Sequence, residues 1–166
     1  MRCFVSIDVD SRLKEAAINL QNQIPGDVKL VEPENLHFTL EFLGEISNAS
    51  VIEERLAKIA GEFEPFIINI RGIGVFPDMN YIRVVWLGAE ELSNLQSAVN
   101  PKEATPHLTI ARVRSVKDKE ALKAFIEKHK DIDIGQMLVD KIKLKKSTLT
   151  PSGPIYEDIR VFELRV

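Results

Sequence analysis

The sequence has 166 residues but only one cysteine, Cys3, and it contains no apolar run that approaches the length of a membrane span. One cysteine cannot form an intrachain disulfide or a cysteine-based zinc site, and its apolar neighbours are typical of a small core residue. The first ten residues, MRCFVSIDVD, lack the basic and apolar regions of a secretory signal peptide. We therefore expect a cytoplasmic protein that does not insert into membranes.

The chain also lacks an excess of positive charge. It has 22 Lys and Arg residues against 25 Asp and Glu residues, which gives a formal net charge of -3. A protein that coats a long nucleic acid with cations is thereby disfavoured, so a nucleic-acid partner should be a short or terminal piece. Since 45% of the residues are hydrophobic, we expect residues 1–166 to form a single compact domain.

Hydrophobic periodicity predicts a mixed chain. Most strands follow one another through short turns, which favours an α+β fold with antiparallel pairing. Strands are expected over residues 3–9, 28–31, 36–43, 66–75, 81–87, 107–114, 136–148 and 156–166, and helices over residues 11–23, 48–63, 90–99 and 118–130.

A faint internal repeat is the most informative feature. HFTLEFLG at residues 37–44 is echoed by HLTIARVR at residues 107–114. Alternate side chains of a strand share a face, so His37 lies beside Thr39 and His107 beside Thr109, opposite their apolar neighbours. A duplicated lobe would relate the two strands by a pseudo-two-fold axis and place these four side chains around one groove.

Two imidazoles and two hydroxyls suit the cleavage of a phosphodiester. A neutral imidazole accepts a proton from the attacking oxygen, a protonated one donates to the leaving oxygen, and a pKa near 6.5 lets both forms coexist at neutral pH. The threonine hydroxyls would stabilise the negative charge on the phosphate oxygens. A metal site is not predicted, because two histidines without a nearby carboxylate or thiol make an incomplete zinc shell. The third histidine, His129, fits a solvated helix end, and we assign it no role.

These motifs resemble those of the 2H phosphoesterase superfamily, which has two His-x-Thr-x motifs. The flanking segments RCFVSIDV, NLHFTLEFLGEI, GIGVFP, HLTIARV and KSTLTPSGPIY most resemble the RNA 2′,3′-cyclic phosphodiesterase branch, also called 2′-5′ RNA ligase. The resemblance implies a bilobal duplicated fold, with two antiparallel sheets facing across a central cleft and helices outside. It also implies hydrolysis of 2′,3′-cyclic phosphate ends to 2′-phosphomonoesters without metal or other cofactor, and reversible joining of tRNA halves. No protein partner is predicted.

The resemblance also implies roles for individual residues. His37 is expected to be the proton donor and His107 the acceptor, with Thr39 and Thr109 as phosphate ligands. Arg112 matches an arginine often found after the second motif, but strand alternation places it on the cleft face only if the strand ends or bulges first. Otherwise it is a rim arginine. Tyr156 is expected either to stack a base or line the groove, or to belong to the core.

Two further features give weaker expectations. Alternating lysines at 141, 143 and 145, with Lys146 beside them, are typical of a solvated strand face and alternatively of an RNA-contacting track. The stretch between Trp86 and His107 is shorter than is usual in the family. Either the protein has lost this segment, or residues are missing from the sequence near 99–101, which is the interpretation we favour because loops beside active sites are often disordered.

The sequence is also compatible with two other activities. The same groove could act on another small phosphodiester, such as 2′-5′ oligoadenylate or ADP-ribose cyclic phosphate. It could also be a non-catalytic module that binds RNA ends.

Overall fold

A computed structural model describes residues 1–103, 105–115 and 117–165 of the protein. The described residues form nine strands and four helices, with two short 3-10 turns at Pro33–Asn35 and Glu90–Leu92. In chain order the elements are β1 (Arg2–Asp8), α1 (Ser11–Gln21), β2 (Asp27–Leu30), β3 (His37–Glu45), α2 (Ser50–Glu62), β4 (Phe66–Asp78), β5 (Tyr81–Gly88), α3 (Ser93–Val99), β6 (His107–Ser115), α4 (Lys119–Lys128), β7 (Asp133–Val139), β8 (Lys141–Thr150) and β9 (Gly153–Glu163).

The described strands form one antiparallel sheet in the order β7-β4-β5-β6-β3-β1-β8-β9, with β2 added beside β6. We call β3, β1, β8 and β9 the first half-sheet, and β2, β6, β5, β4 and β7 the second half-sheet. The two halves meet where Phe38 of β3 pairs with Leu108 of β6. The predicted α+β class with antiparallel pairing is confirmed. The two expected sheets are continuous with each other through this one position.

The sheet bends between its two halves. Strands β7 and β8 lie in different half-sheets, yet Asp140 alone separates them in the chain. One residue spans only a few ångströms, so the end of β7 must lie close to the start of β8. The bend produces the concave surface that carries the candidate site.

One contiguous apolar core holds the halves together. In β1, Val5 and Ile7 are buried in this core, and α1 adds Leu13 and Leu20 against the second half-sheet. Helix α2 buries Leu56 against β8 and β9. Burying each such side chain contributes about 1.5–3 kcal/mol, which fixes the position of the helices on the outside of the sheet.

The prediction of one strand over residues 136–148 is wrong, because this segment contains parts of two strands, β7 and β8. The backbone leaves the ladder at Asp140, whose carbonyl accepts a hydrogen bond from the N–H of Leu164 at 2.8 Å. Strand β7 pairs with β4, whereas β8 pairs with β1 and β9. The last predicted strand extended to Val166, which lies outside the described residues.

The segment between α3 and β6 contains a hydrogen-bonded turn. Helix α3 ends at Val99, and the N–H of Asn100 donates to the carbonyl of Gln96 at 2.7 Å. The N–H of Glu103 in turn donates to the carbonyl of Asn100 at 3.1 Å. These bonds close a turn at residues 99–103, and the expectation that residues are missing near 99–101 stays a prediction.

Candidate active site

Each repeated motif opens a strand: β3 begins at His37, and β6 begins at His107. In both strands the histidine and the threonine two residues later are half-buried, whereas Phe38 and its counterpart Leu108 are fully buried. The alternation predicted from the sequence is therefore present in both strands, with the polar side chains on the concave face of the sheet.

A β-bulge in β6 decides the position of Arg112. Consecutive residues of β5 pair with Thr109 and Ala111, which leaves Ile110 as an extra residue. The extra residue shifts the alternation by one position, so Arg112 lies on the same face as Thr109. Arg112 is exposed and lines the cleft. The sequence predicted this position only for a strand that ends or bulges before Arg112.

Strand β3 carries the same irregularity. Consecutive residues of β1 pair with Thr39 and Glu41, which leaves Leu40 unpaired and brings Phe42 to the cleft. The ring of Phe42 is 77% exposed, which is unusual for an aromatic side chain on a sheet. Sequence reasoning missed Phe42 because the bulge depends on the partner strand.

The two motif strands border one cleft of about 770 Å³. All six predicted site residues line it: His37, Thr39, His107, Thr109, Arg112 and Tyr156. The structure thus brings together residues that are up to 119 positions apart in the chain.

Backbone carbonyls orient both imidazoles in the same way. The Nδ1–H of His37 donates to the carbonyl of Asn35 at 2.6 Å, and the Nδ1–H of His107 donates to the carbonyl of Thr105 at 2.8 Å. A carbonyl only accepts, so each Nδ1 keeps its proton and each Nε2 is the nitrogen that gains or loses one. For neutral His37, the hydroxyl of Thr39 donates to this Nε2 at 2.8 Å.

The two histidines sit against different aromatic rings. His37 contacts Phe4, with ring centroids 5.1 Å apart, and Tyr156 at 5.3 Å. His107 contacts Phe76 at 4.9 Å and lies 6.0 Å from Trp86. The sequence patterns did not indicate Phe4, Phe76 or Trp86 as site residues, although Phe4 and Phe76 lie in segments that carried the family resemblance.

Burial lowers the pKa of His37 below its ordinary value. The bond to the Asn35 carbonyl and the charge of Asp8 act in the opposite direction, while the charges of Lys145 and His107 lower the pKa further. A lowered pKa favours the neutral form of His37 at neutral pH. The resemblance implied the donor role for this residue, which requires the protonated form.

Tyr156 is half-buried, and this burial raises the pKa of its hydroxyl. The nearby positive charge of Arg112 partly offsets this rise in the Tyr156 pKa. The guanidinium of Arg112 is therefore close to Tyr156, whose ring contacts His37. Tyr156 packs edge-on against Phe4 at 4.9 Å and therefore serves as an aromatic wall of the cleft. The prediction that it lines the groove agrees with this position.

The lysine track does not present a row of free cations. Lys143 and Lys145 both bond to the carboxylates of Asp8 and Asp158, and Lys145 is buried. Lys141 lies 3.9 Å from Asp140. We therefore do not assign these lysines to RNA contact.

The described part of the chain holds neither a metal-binding cluster nor a membrane-spanning helix. No group of three or more His, Cys, Asp or Glu side chains there is arranged to hold a metal ion. No helix in the same residues is long and apolar enough to cross a membrane.

Comparison with known families gives a match over most of the chain. The model of the LigT-like phosphoesterase family matches residues 7–86 and 88–156. The chain belongs to the LigT-like phosphoesterase family. The protein is therefore a phosphoesterase. The match confirms the family resemblance that the two His-x-Thr-x motifs indicated.

Two curated family relatives are similar over almost their whole length. The RNA 2′,3′-cyclic phosphodiesterase of Methanocaldococcus jannaschii is 44% identical over 177 residues, covering 96% of this chain and 99% of that protein. That of Methanothermobacter thermautotrophicus is 38% identical over 182 residues, covering 99% of each.

Solved structures of the family share the fold. The crystal structure of TT0787 from Thermus thermophilus matches with a TM-score of 0.83 and 25% identity, covering 99% of this chain and 98% of that one. E. coli LigT complexed with ATP matches with a TM-score of 0.71 and the same identity and coverage.

Proposed function

We propose that the protein is a metal-independent RNA 2′,3′-cyclic phosphodiesterase that hydrolyses 2′,3′-cyclic phosphate ends to 2′-phosphomonoesters. The observation that carries the proposal is the pair of imidazoles, oriented alike by backbone carbonyls, in one cleft beside Thr39 and Thr109. The names of the relatives support the same substrate class.

The reaction needs only the groups that line the cleft. One neutral imidazole takes a proton from water as the water oxygen bonds to phosphorus. The bond from phosphorus to the 3′-oxygen breaks, and the protonated second imidazole gives its proton to that oxygen. The product carries a 2′-phosphate and a 3′-hydroxyl, and proton exchange with solvent restores both histidines.

Thr39, Thr109 and Arg112 are proposed to bind the phosphate. Their hydroxyls and guanidinium are donors, and the charge on the non-bridging oxygens increases in the transition state. Tyr156 is proposed to line the ribose and base side of the cleft, together with the exposed ring of Phe42.

We further propose that residues 1–166 form one domain of two pseudo-symmetric lobes. The strand order supports this, because three further strands follow each motif strand outward from the β3–β6 junction: β1, β8 and β9 on one side, and β5, β4 and β7 on the other. The shared bulge after each threonine and the two matched segments of the family model also support it. A two-fold relation explains why the two histidines face one cleft.

The RNA end is the proposed partner, with tRNA halves as the substrates of a reverse 2′-5′ joining reaction, and the cytoplasm is the proposed location. The low positive charge of the chain favours a terminal rather than a long internal RNA contact.

Turnover by three matched variants tests the proposal. His37→Gln and His107→Gln should each lose at least about 100-fold in kcat on a nucleoside 2′,3′-cyclic phosphate, the lower end of a general acid–base contribution. His129→Gln should keep wild-type turnover, since His129 bonds to the Phe125 carbonyl on α4, away from the cleft. Full activity in both cleft variants would contradict the proposal.

A panel of substrates separates the alternatives. Faster turnover of 2′-5′ oligoadenylate or ADP-ribose cyclic phosphate would move the protein to another phosphodiester. Tight binding of an RNA end without any product would indicate a binding module.

A further inference from the structure

Gln21 is the last residue of α1, and only 3% of its surface is exposed. Its side-chain amide nitrogen, Nε2, donates to the carbonyl of Val31 at 2.9 Å and to the carbonyl of Ile110 at 2.8 Å. Carbonyl oxygens only accept, so the nitrogen of the amide and not its oxygen faces them. Both N–H donors of this buried side chain are therefore used, which fixes its orientation.

The carbonyl of Ile110 belongs to the bulge of β6. Ile110 has no pairing partner on β5, and it is buried together with the next residue, Ala111. Two consecutive buried residues interrupt the alternation of the strand, and this interruption places Arg112 on the cleft face with Thr109. Since β5 does not pair with Ile110, contacts from the other side of β6 must hold the bulge in place.

Those contacts come from α1 and from the end of β2. The N–H of Val31, the residue after β2, donates to the carbonyl of Ile110 at 3.0 Å. Two residues earlier, Lys29 of β2 pairs with Arg112. The carbonyl of Ile110 thus accepts from both Val31 and Gln21, and Gln21 joins the two strands at the point where their ladder ends.

A second buried glutamine, Gln96 of α3, lacks such contacts. Only 1% of its surface is exposed, and neither polar atom of its side chain has a hydrogen-bond partner in the described part of the chain. Neither glutamine lines the cleft. The two therefore differ in the feature that matters here, which is the pair of bonds from Gln21 to the strand ends beside Arg112.

We propose that Gln21 is a positioning residue that holds the bulge of β6 and thereby keeps Arg112 directed into the cleft. Without its two donors, the carbonyls of Val31 and Ile110 each lose a hydrogen bond in a buried region, and the bulge should shift or loosen. Gln21 does not line the cleft, so it acts on the reaction only through Arg112. The inference rests on the proposed function, in which Arg112 binds the phosphate.

A double-mutant cycle on a nucleoside 2′,3′-cyclic phosphate separates this role from a general structural one. Gln21→Met keeps the length of the side chain but removes both donors. It should lower kcat/KM by about 3- to 10-fold, the size expected for the loss of a neutral hydrogen bond. In a protein that already carries Arg112→Met, the same substitution should change kcat/KM by less than about twofold, because the group that Gln21 positions is gone.

Gln96→Met is the matched control, since it also removes a buried amide. It should change kcat/KM by less than about twofold in both backgrounds. Fluorescence from Trp86, the one tryptophan of the chain, verifies that each variant is folded. If Gln21→Met does not fold, Gln21→Asn takes its place in the cycle, because it retains the amide but is one methylene too short to hold both carbonyls.

Equal losses from Gln21→Met in the two backgrounds would overturn the inference, as would wild-type kcat/KM in Gln21→Met or an equal loss in Gln96→Met. Absence of turnover in the wild-type protein would instead contradict the proposed function. The cycle is then measured on the dissociation constant of inorganic phosphate, which Gln21→Met should raise only while Arg112 is present. A wild-type protein that neither turns over the cyclic phosphate nor binds inorganic phosphate would overturn both proposals.

Discussion

At the scale of single residues, the structure explains why two identical side chains can act at one phosphate. The carbonyls of Asn35 and Thr105 each hold an Nδ1 proton, so both Nε2 atoms are the ones that exchange protons. The sequence predicted His37, Thr39, His107 and Thr109 through strand alternation alone. It could not predict the carbonyl contacts, because these depend on the backbone before each strand.

Arg112 gives a prediction at this scale. Arg112→Met should lower kcat/KM on a cyclic phosphate by roughly 10- to 100-fold, since a hydrogen bond to a charged group contributes about 1.5–3 kcal/mol. Steady-state kinetics provide the measurement. Arg114→Met is the control, because Arg114 lies on the same strand but 3.8 Å from Asp27 and away from the cleft lining. Equal losses in both variants would contradict a phosphate contact by Arg112.

His37 also predicts a pH dependence of stability. Its pKa is lowered in the folded protein, so the unfolded chain binds the proton more readily. The free energy of unfolding should therefore fall as the pH drops below about 6.5, the ordinary histidine value. In His37→Gln this fall should be smaller than in the wild-type protein. Urea unfolding at pH 7.5 and pH 5.5 measures the difference, and an identical fall in the two proteins would contradict it.

At the scale of elements, the β-bulges after Thr39 and Thr109 determine what reaches the cleft. Strict alternation would place Arg112 outside, and only the extra residue Ile110 reverses this. A bulge is a property of two paired strands, so one strand's sequence does not reveal it. Residues 136–148 gave one predicted strand because apolar residues lie on both sides of Asp140. In the structure the buried positions change from Met137 and Val139 to Ile142 and Leu144 there, and the pairing partners change with them.

Strand β4 gives a prediction at the element scale. Gly74 pairs directly with Trp86, and a Cβ there would overlap the indole ring that lies near His107. Gly74→Ala should displace the ring, change the fluorescence of this single tryptophan and lower kcat. Gly61→Ala is the control: it lies in α2 with open space around it, and it should stabilise the protein by up to about 1 kcal/mol. Unchanged fluorescence and kcat in Gly74→Ala would contradict the packing described.

At the scale of the whole molecule, two half-sheets share one core and one cleft. Among the described residues, they are joined in the ladder only where Phe38 meets Leu108, and both side chains are fully buried. The α+β class could be predicted from the short turns between strands. The bend that closes the cleft could not, because it depends on how β7 and β8 connect distant parts of the sheet.

The shared core predicts a single cooperative unfolding transition. Phe38→Ala should lower the free energy of unfolding by about 3–5 kcal/mol, because it leaves a cavity at the junction. Val51→Ala, at a side chain that is 75% exposed, should change it by less than about 0.5 kcal/mol. Fluorescence of Trp86 and far-UV circular dichroism should report the same midpoint in the wild-type protein. Separate midpoints would indicate that the half-sheets unfold independently.

The most direct measurement of the central claim is phosphorus NMR of the product formed from a nucleoside 2′,3′-cyclic phosphate in excess chelator. The proposed mechanism predicts a 2′-phosphomonoester as the sole product, with the 3′-oxygen as the leaving group. A 3′-phosphomonoester, or no product from folded protein, would contradict it.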